Sequence, residues 1–162
     1  MACALTVWHN IVRTGDVSTL NTLIADDAVF YSPVVHTPQV GKAIVVKYLT
    51  AAATVLLNES FHYVREMKQE HEALLEFQAT IDDIMINGID HIQWNESNQI
   101  VGFKVWVRPL KAIQNLHQVM AKQLASYSRL GYCWSVKSSS RPNAWGHFSR
   151  VTFIRIPSSI IR

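Results

Sequence analysis

Residues 84–94 carry the pattern in this chain that points most directly at chemistry. Split by parity, they place Ile84, Ile86, Gly88, Asp90, Ile92 and Trp94 on one side and Met85, Asn87, Ile89, His91 and Gln93 on the other, because successive side chains of a strand face opposite ways. Only the first side is consistently apolar. If that side faces the core, Asp90 is desolvated, which raises its pKa and favours the neutral acid. Left ionised and unpaired it would be costly, so it is expected to be protonated, hydrogen-bonded, or beside a cavity that admits water or ligand. A lone acid among apolar side chains suits proton transfer on a small, largely apolar carbonyl compound. The same pattern also suits a buried Asp that merely ties down a neighbouring loop.

Other chemistries fail on spacing. The seven histidines form no His-x-His or His-Glu-x-x-His pair, Cys3 and Cys133 have no Cys-x-x-Cys neighbour, and no glycine-rich phosphate loop follows a strand. The expectation is no metal and no cofactor. Two isolated cysteines also argue against a disulfide.

The elements that must position Asp90 follow from hydrophobic periodicity. Leu5, Trp8 and Val12 fall at helical spacing and Gly15 stops the run, which predicts a helix over 3–14. Asp16 is placed to cap a short second helix carrying Leu20, Leu23 and Ile24. Ala28 to Tyr31 reads as a strand ended by Ser32-Pro33, the stretch from Pro38 to Gly41 as a loop, and Ile44 to Val55 as a third helix. From Phe61 the period changes to two, predicting strands near 61–68, 71–81, 84–94 and 99–108 with turns at Asp82-Asp83 and Asn95 to Asn98. Pro109 opens a last helix whose apolar side is Leu110, Ile113, Leu116, Met120 and Leu124. Helices first and a meander afterwards define an α+β domain with helices on one face of the sheet.

A length of 162 residues, 49% of them hydrophobic, supports one core and not two. No apolar run is long enough to span a membrane, and the N-terminus lacks the basic start and apolar stretch of an export signal, so a cytoplasmic location is expected. Without export the Asn58-Glu-Ser and Asn95-Glu-Ser triplets read as turns. The formal charge of +3 is unevenly spread: residues 1–122 hold 9 Lys/Arg against 12 Asp/Glu, net −3, whereas residues 123–162 hold 6 basic and no acidic residues. That basic tail is dotted with Tyr127, Tyr132, Trp134, Trp145 and Phe148 and reads as an edge hairpin or a poorly ordered extension. Binding of single-stranded nucleic acid is the less favoured use of it.

The runs Gly15-Asp16, Leu23-Ile-Ala-Asp-Asp-Ala, Ser32-Pro33, Pro38 with Gly41, Gly88-Ile-Asp-His-Ile-Gln-Trp and Val107-Arg-Pro together resemble the nuclear transport factor 2-like superfamily. Within it the likeness is to the SnoaL-like polyketide cyclase and ketosteroid isomerase branches, over about residues 5–124. The resemblance implies a cone-shaped, curved antiparallel sheet packed on the N-terminal helices, the cystatin-like α+β barrel, enclosing a pocket. It also implies a domain over residues 1–125 with the basic extension 126–162 outside it. It places Asp90 where ketosteroid isomerases hold a neutral acid that donates to an oxyanion. Ser32 stands where those enzymes have a general-base Asp, and Trp8 near their oxyanion-donating Tyr. A serine cannot shuttle a proton as a carboxylate does, so ketosteroid isomerisation by the usual route is not expected.

The expected site is therefore Asp90 as the acid or base. Trp8, Tyr31, Ser32 and Tyr48 are its possible hydrogen-bond donors, His36 a loop group at the pocket mouth, and Ile92, Trp94, Phe103 and Val105 its apolar walls. Each helper has a plainer use: Trp8 and Tyr48 as core residues, His36 as a solvated loop histidine, Ser32 as a strand terminator. The function expected is a cofactor-independent isomerase, cyclase or lyase acting on a small apolar carbonyl compound. The alternative is a protein of the same fold that binds an apolar molecule without chemistry, or a scaffold whose pocket is too small for any ligand. On the opposite face Ile89, His91 and Trp106 form a partly apolar surface, where a homodimer is expected.

Overall fold

Gly15 ends the first helix, α1 (Ala4–Thr14), in the left-handed conformation at φ 71°, its N–H bonding back to the Ile11 carbonyl, a stop that glycine makes without steric penalty. The computed structural model describes residues 3–129. After α1 come a single-turn helix α2 (Leu20–Leu23), strand β1 (Ile24–Tyr31), the two-residue strand β2 (Gln39–Val40) and helix α3 (Lys42–Leu56). Strands β3 (His62–Lys68), β4 (Glu72–Ile81), β5 (Ile84–Trp94) and β6 (Ile100–Arg108) follow, and α4 (Leu110–Arg129) closes the described part.

The six strands form one curved, unclosed sheet in the order β2-β1-β6-β5-β4-β3. The meander β3 to β6 is antiparallel as its turns require, while β1 runs parallel to β6. The α+β architecture agrees with the sequence; three local details differ. Ile24 starts β1 instead of ending the second helix, because Ile24 pairs with Ile100. Gln39-Val40 is a short strand within the expected loop, held by Val29 and Phe30. Asp16 does not cap α2: its Oδ1 accepts from the Ser18 N–H in a local turn, which holds its carboxyl below the usual range.

The turns are built by their side chains. Asp82 and Asp83 both take positive φ, 49° and 61°, as a two-residue hairpin whose twist matches its strands demands. Asn58 Oδ1 accepts from the Ser60 N–H, and Asn95 Oδ1 from the Gln99 N–H, so both Asn-Glu-Ser segments are turns. Helix α4 runs past the expected boundary at 125 through Arg129, and the rest of the basic tail, with its expected hairpin, lies outside the described residues. Among the described residues no helix is long and apolar enough to cross a membrane.

Two apolar clusters fill the concave side of the sheet. One joins α1, α2 and β1 to Leu75, Ile92, Trp94, Ile100 and Phe103. The other joins Ala51 of α3 and Ala112, Leu116 and Met120 of α4 to Phe77, Ile81 and Ile86. Each fully buried aliphatic side chain here contributes roughly 1.5–3 kcal/mol relative to exposure. Tyr63 and Val105 are half-buried and border both clusters, and a small cavity lies in the seam between them.

Candidate functional site

Strand β5 alternates along its length, with Ile86, Gly88, Asp90, Ile92 and Trp94 buried and Met85, Ile89 and Gln93 exposed. Asp90 therefore faces the helices. It is 7% exposed and is the one buried polar or charged residue among the described residues.

Three side chains from three elements meet there. The Trp8 indole N–H donates to the Tyr63 hydroxyl at 2.9 Å, and Tyr63 donates to Asp90 Oδ2 at 2.9 Å. The direction is fixed by chemistry: an indole nitrogen can only donate, so the phenol oxygen must accept from it and spend its own proton on Asp90. The neighbouring residue His9 fastens the same helix to the same strand, its Nε2 lying 2.9 Å from Glu66 Oε2 and its ring standing edge-on to Tyr63.

Burial pushes the Asp90 carboxyl up to about 7, partly offset by the Tyr63 hydrogen bond, which favours the anion. Burial, and then the charge of Asp90, pushes the Tyr63 phenol well above its ordinary range. Asp90 Oδ1 has no hydrogen-bond partner among the described residues, and none of their side-chain oxygens is both sealed off and unpartnered. Oδ1 therefore opens on the cavity that Asp90 lines. The exchangeable proton belongs on this oxygen, since Oδ2 is already an acceptor.

The cavity is small, about 50 Å³, and its walls are apolar. Helix α1 contributes Trp8 and Val12; α3 contributes Leu49, Ala52, Ala53 and Leu56; the sheet contributes Phe30, Phe103 and Val105 around Asp90 and Tyr63. Asp90 and Tyr63 are the ionisable groups facing it among the described residues. Such a cavity admits one or two waters or the end of a larger molecule. Among the described residues no group of three His, Cys, Asp or Glu side chains is placed to hold a metal ion.

Of the site residues expected from the sequence, Asp90, Trp8, Phe103 and Val105 meet at this cavity. Trp8 does not offer its N–H to a ligand, however, because Tyr63 takes it. Ser32 and Tyr48 line a separate groove that shares a wall with the cavity. Ile92 and Trp94 continue the inward row but are packed solid in the core. Tyr31 is corrected to the outer face: it follows the inward Phe30, and the Lys104 ammonium sits 4.5 Å over its ring. His36 is corrected to an exposed loop position, since the apolar Val34 and Val35 before it take the groove side. Tyr63 is the residue that sequence reading missed. Its signal is weak but present, because Phe61 and Tyr63 share one parity, whereas Val64 of the other parity is exposed.

No family model matches the chain, and neither does any curated protein. Solved structures do. A steroid delta-isomerase from Pseudomonas aeruginosa is 36% identical, with a TM-score of 0.74 over 78% of this chain and 92% of its own. An uncharacterised protein with a cystatin-like fold from Silicibacter pomeroyi is 28% identical, with a TM-score of 0.72 over 78% of this chain and 89% of its own. A candidate SnoaL-like polyketide cyclase from Shewanella putrefaciens shares the fold at 14% identity, with a TM-score of 0.52 over 76% of this chain and 84% of its own. The architecture is thus the cystatin-like α+β fold. The chain belongs to the nuclear transport factor 2-like superfamily, on its ketosteroid isomerase-like side.

Proposed function

We propose that this protein is a cofactor-independent enzyme of the isomerase, cyclase or lyase type, acting on a small apolar carbonyl compound, with Asp90 as its proton-transfer group. The observation that carries the reading is the state of Asp90: buried, held at Oδ2 by Tyr63, open at Oδ1, and with a pKa of about 7. A group poised there is populated both as acid and as base at neutral pH, which is the optimum for general acid–base work. As the base, Oδ1 takes a proton from the carbon next to the carbonyl. The C–H electron pair becomes the C=C bond of an enolate as the C=O π pair moves onto oxygen; the carbonyl then re-forms as the enolate takes the proton back from Asp90 at the same or a conjugated carbon. The Tyr63 donor steadies the carboxylate during the exchange. The similarity to a protein named steroid delta-isomerase supports this substrate class, although Ser32 lies across a shared wall from Asp90 and supplies no second carboxylate.

The test begins with a thermal-shift screen of steroid-, polyketide- and terpene-like ketones. Compounds that bind are then incubated in heavy water and followed for deuterium uptake beside the carbonyl. Wild-type protein should catalyse uptake and folded Asp90→Asn should not; full exchange in that variant removes the mechanism.

Binding without chemistry is the second reading, favoured by the absence of a second carboxylate among the described walls of the cavity. A ligand retained through purification and unchanged in mass after long incubation is its signature. For the outer sheet face we propose a second copy of this chain as partner, supported by Leu74, Ile89 and Trp106, which lie exposed on three adjacent strands.

A further inference from the structure

Aromatic rings make up much of the wall around Asp90. Five line the cavity: Trp8 from α1, Phe30 from β1, Phe61 just before β3, Tyr63 within it, and Phe103 from β6. Their planes are inclined to one another, by 65° between Trp8 and Phe103, 43° between Phe30 and Phe103 and 81° between Phe61 and Tyr63, so they surround the space from several directions. Both polar hydrogens that these rings own are already spent, the Trp8 N–H on Tyr63 and the Tyr63 O–H on Asp90 Oδ2. What remains for a ligand is a carboxyl oxygen, apolar carbon and electron-rich π surface. Among the described residues no Lys, Arg or His lines the cavity to balance the carboxylate. Such surroundings attract a cation, since ring faces carry negative potential and a buried carboxylate is costly until it is paired.

We propose that the cavity binds a small tertiary ammonium ion, whose single N–H donates to Asp90 Oδ1 while its alkyl groups lie against the rings. This rests on the second reading above, binding without chemistry, and gives it a ligand class. The volume of about 50 Å³ limits the ligand to a small molecule. The supply of acceptors selects the degree of substitution. Oδ2 is taken by Tyr63 and the Tyr63 oxygen by Trp8, so Oδ1 is the side-chain acceptor that the described walls leave free. A primary or secondary ammonium buries N–H groups that find no partner, which is costly, and a quaternary one has no N–H to give. Pairing with the cation favours the carboxylate, so binding below neutral pH sends the Asp90 proton to solvent. Tyr63 is the other titratable group turned to Asp90. On β4 and β6 the paired neighbours of Asp90 are Leu75 and Val105, and α3 presents only apolar side chains to the cavity. On α1, His9 is engaged with Glu66 of β3 beside the Tyr63 ring.

The test uses calorimetry on the full-length protein with three isomeric amines, tert-butylamine, N-methylisopropylamine and N,N-dimethylethylamine, and with butanone as a neutral molecule of similar size. N,N-dimethylethylamine should bind roughly tenfold or more tightly than either isomer, the factor expected for a stranded N–H. Its affinity should be about tenfold higher well above neutral pH than one unit below it, where Asp90 is mostly neutral. At the lower pH, buffers of different ionisation enthalpy should report close to one proton released for each amine bound. Phe103→Leu, checked for a cooperative thermal transition, should bind the amine several-fold more weakly through loss of a cation–π contact, with little change for butanone. Folded Asp90→Asn should not bind the amine. Affinity that ignores the number of N–H groups, or that survives in Asp90→Asn, overturns the proposal. Butanone binding without amine binding also overturns it and leaves the second reading standing with an uncharged ligand. Binding of neither overturns the ammonium assignment and the second reading together.

Discussion

The Tyr63 hydroxyl reaches across β4 to donate to Asp90 Oδ2, joining β3 to β5 on the concave face of the sheet. Tyr63 pairs with Phe77 and Phe77 with Gly88, two residues before Asp90, so the bond spans the sheet diagonally. Because Trp8 donates to the same oxygen, a single hydroxyl satisfies one buried donor and one buried acceptor.

Removing that oxygen in Tyr63→Phe leaves the Trp8 N–H and Asp90 Oδ2 without partners. Stability should fall by about 1–3 kcal/mol, the cost of unsatisfied buried groups, as read by urea denaturation. The Asp90 pKa should rise further, since the lost hydrogen bond favours the carboxylate. Carboxyl NMR titration reads this directly; an unchanged or lowered pKa would show that Tyr63 does not control the acid.

Asp90 should also shape the dependence of stability on pH. Burial pushes its carboxyl up to about 7 in the folded protein, against 3.8 for an aspartate in water. Between those values the folded state binds more protons, so stability present at low pH is lost as pH rises through the window and then levels off. The shift corresponds to a loss on the order of 4 kcal/mol. Asp90→Asn should lack this slope, and above neutral pH it should be more stable than wild type. Parallel pH profiles for the two proteins would place the carboxyl in water.

The sequence revealed the row that carries Asp90 because strand alternation needs only local information: one parity of residues 84–94 is apolar apart from the acid. Helix α1 was equally legible from Leu5, Trp8 and the stop at Gly15. The partner of Asp90 was not, since Tyr63 lies 27 residues away and its meeting with Trp8 and Asp90 depends on the curvature of a sheet whose strand order no local pattern specifies. Tyr31 and Phe30 show the same limit. Both are aromatic and adjacent, and the choice of inward residue came from pairing Phe30 with Phe103 and Tyr31 with Lys104. The parallel contact of β1 with β6 lay beyond reach, because their sequence separation hides any shared period.

Gly88 is required by close packing and not by backbone freedom. A Cβ there would overlap the Phe77 ring, with Cε1 at 2.6 Å, and the Trp106 carbonyl oxygen at 2.7 Å. The ring is already held by Phe61, stacked at 5.3 Å, and the carbonyl belongs to the neighbouring strand, so neither yields easily. Gly88→Ala should cost about 1–3 kcal/mol, the usual penalty of overpacking. It should also disturb the Asp90 signal in the carboxyl titration, two residues along the strand. Wild-type stability in this variant would mean that β5 and β6 part more readily than their register suggests.

The outer face carries the final prediction. Trp106 is 47% exposed, its ring stacked on His91, while His91 Nε2 lies 2.9 Å from Glu72 Oε2; that hydrogen bond is the main cause holding the Glu72 carboxyl below its usual range. Leu74 and Ile89 continue the apolar patch across the neighbouring strands. Polar cross-strand pairs border it on one side, where Arg108 donates to Asn87 Oδ1 and Asn87 to Glu76 Oε1. An apolar centre with a hydrogen-bonded rim is the usual composition of a protein interface. If two copies meet here, Trp106→Lys places a hydrated cation at the centre of the contact while leaving the inward row of β6 intact. Sedimentation equilibrium should then show a dimer for the wild type and a monomer for the variant, with the thermal transition losing its dependence on protein concentration. A monomeric wild type at tens of micromolar, or an unaffected dimer in the variant, would assign the assembly to another surface.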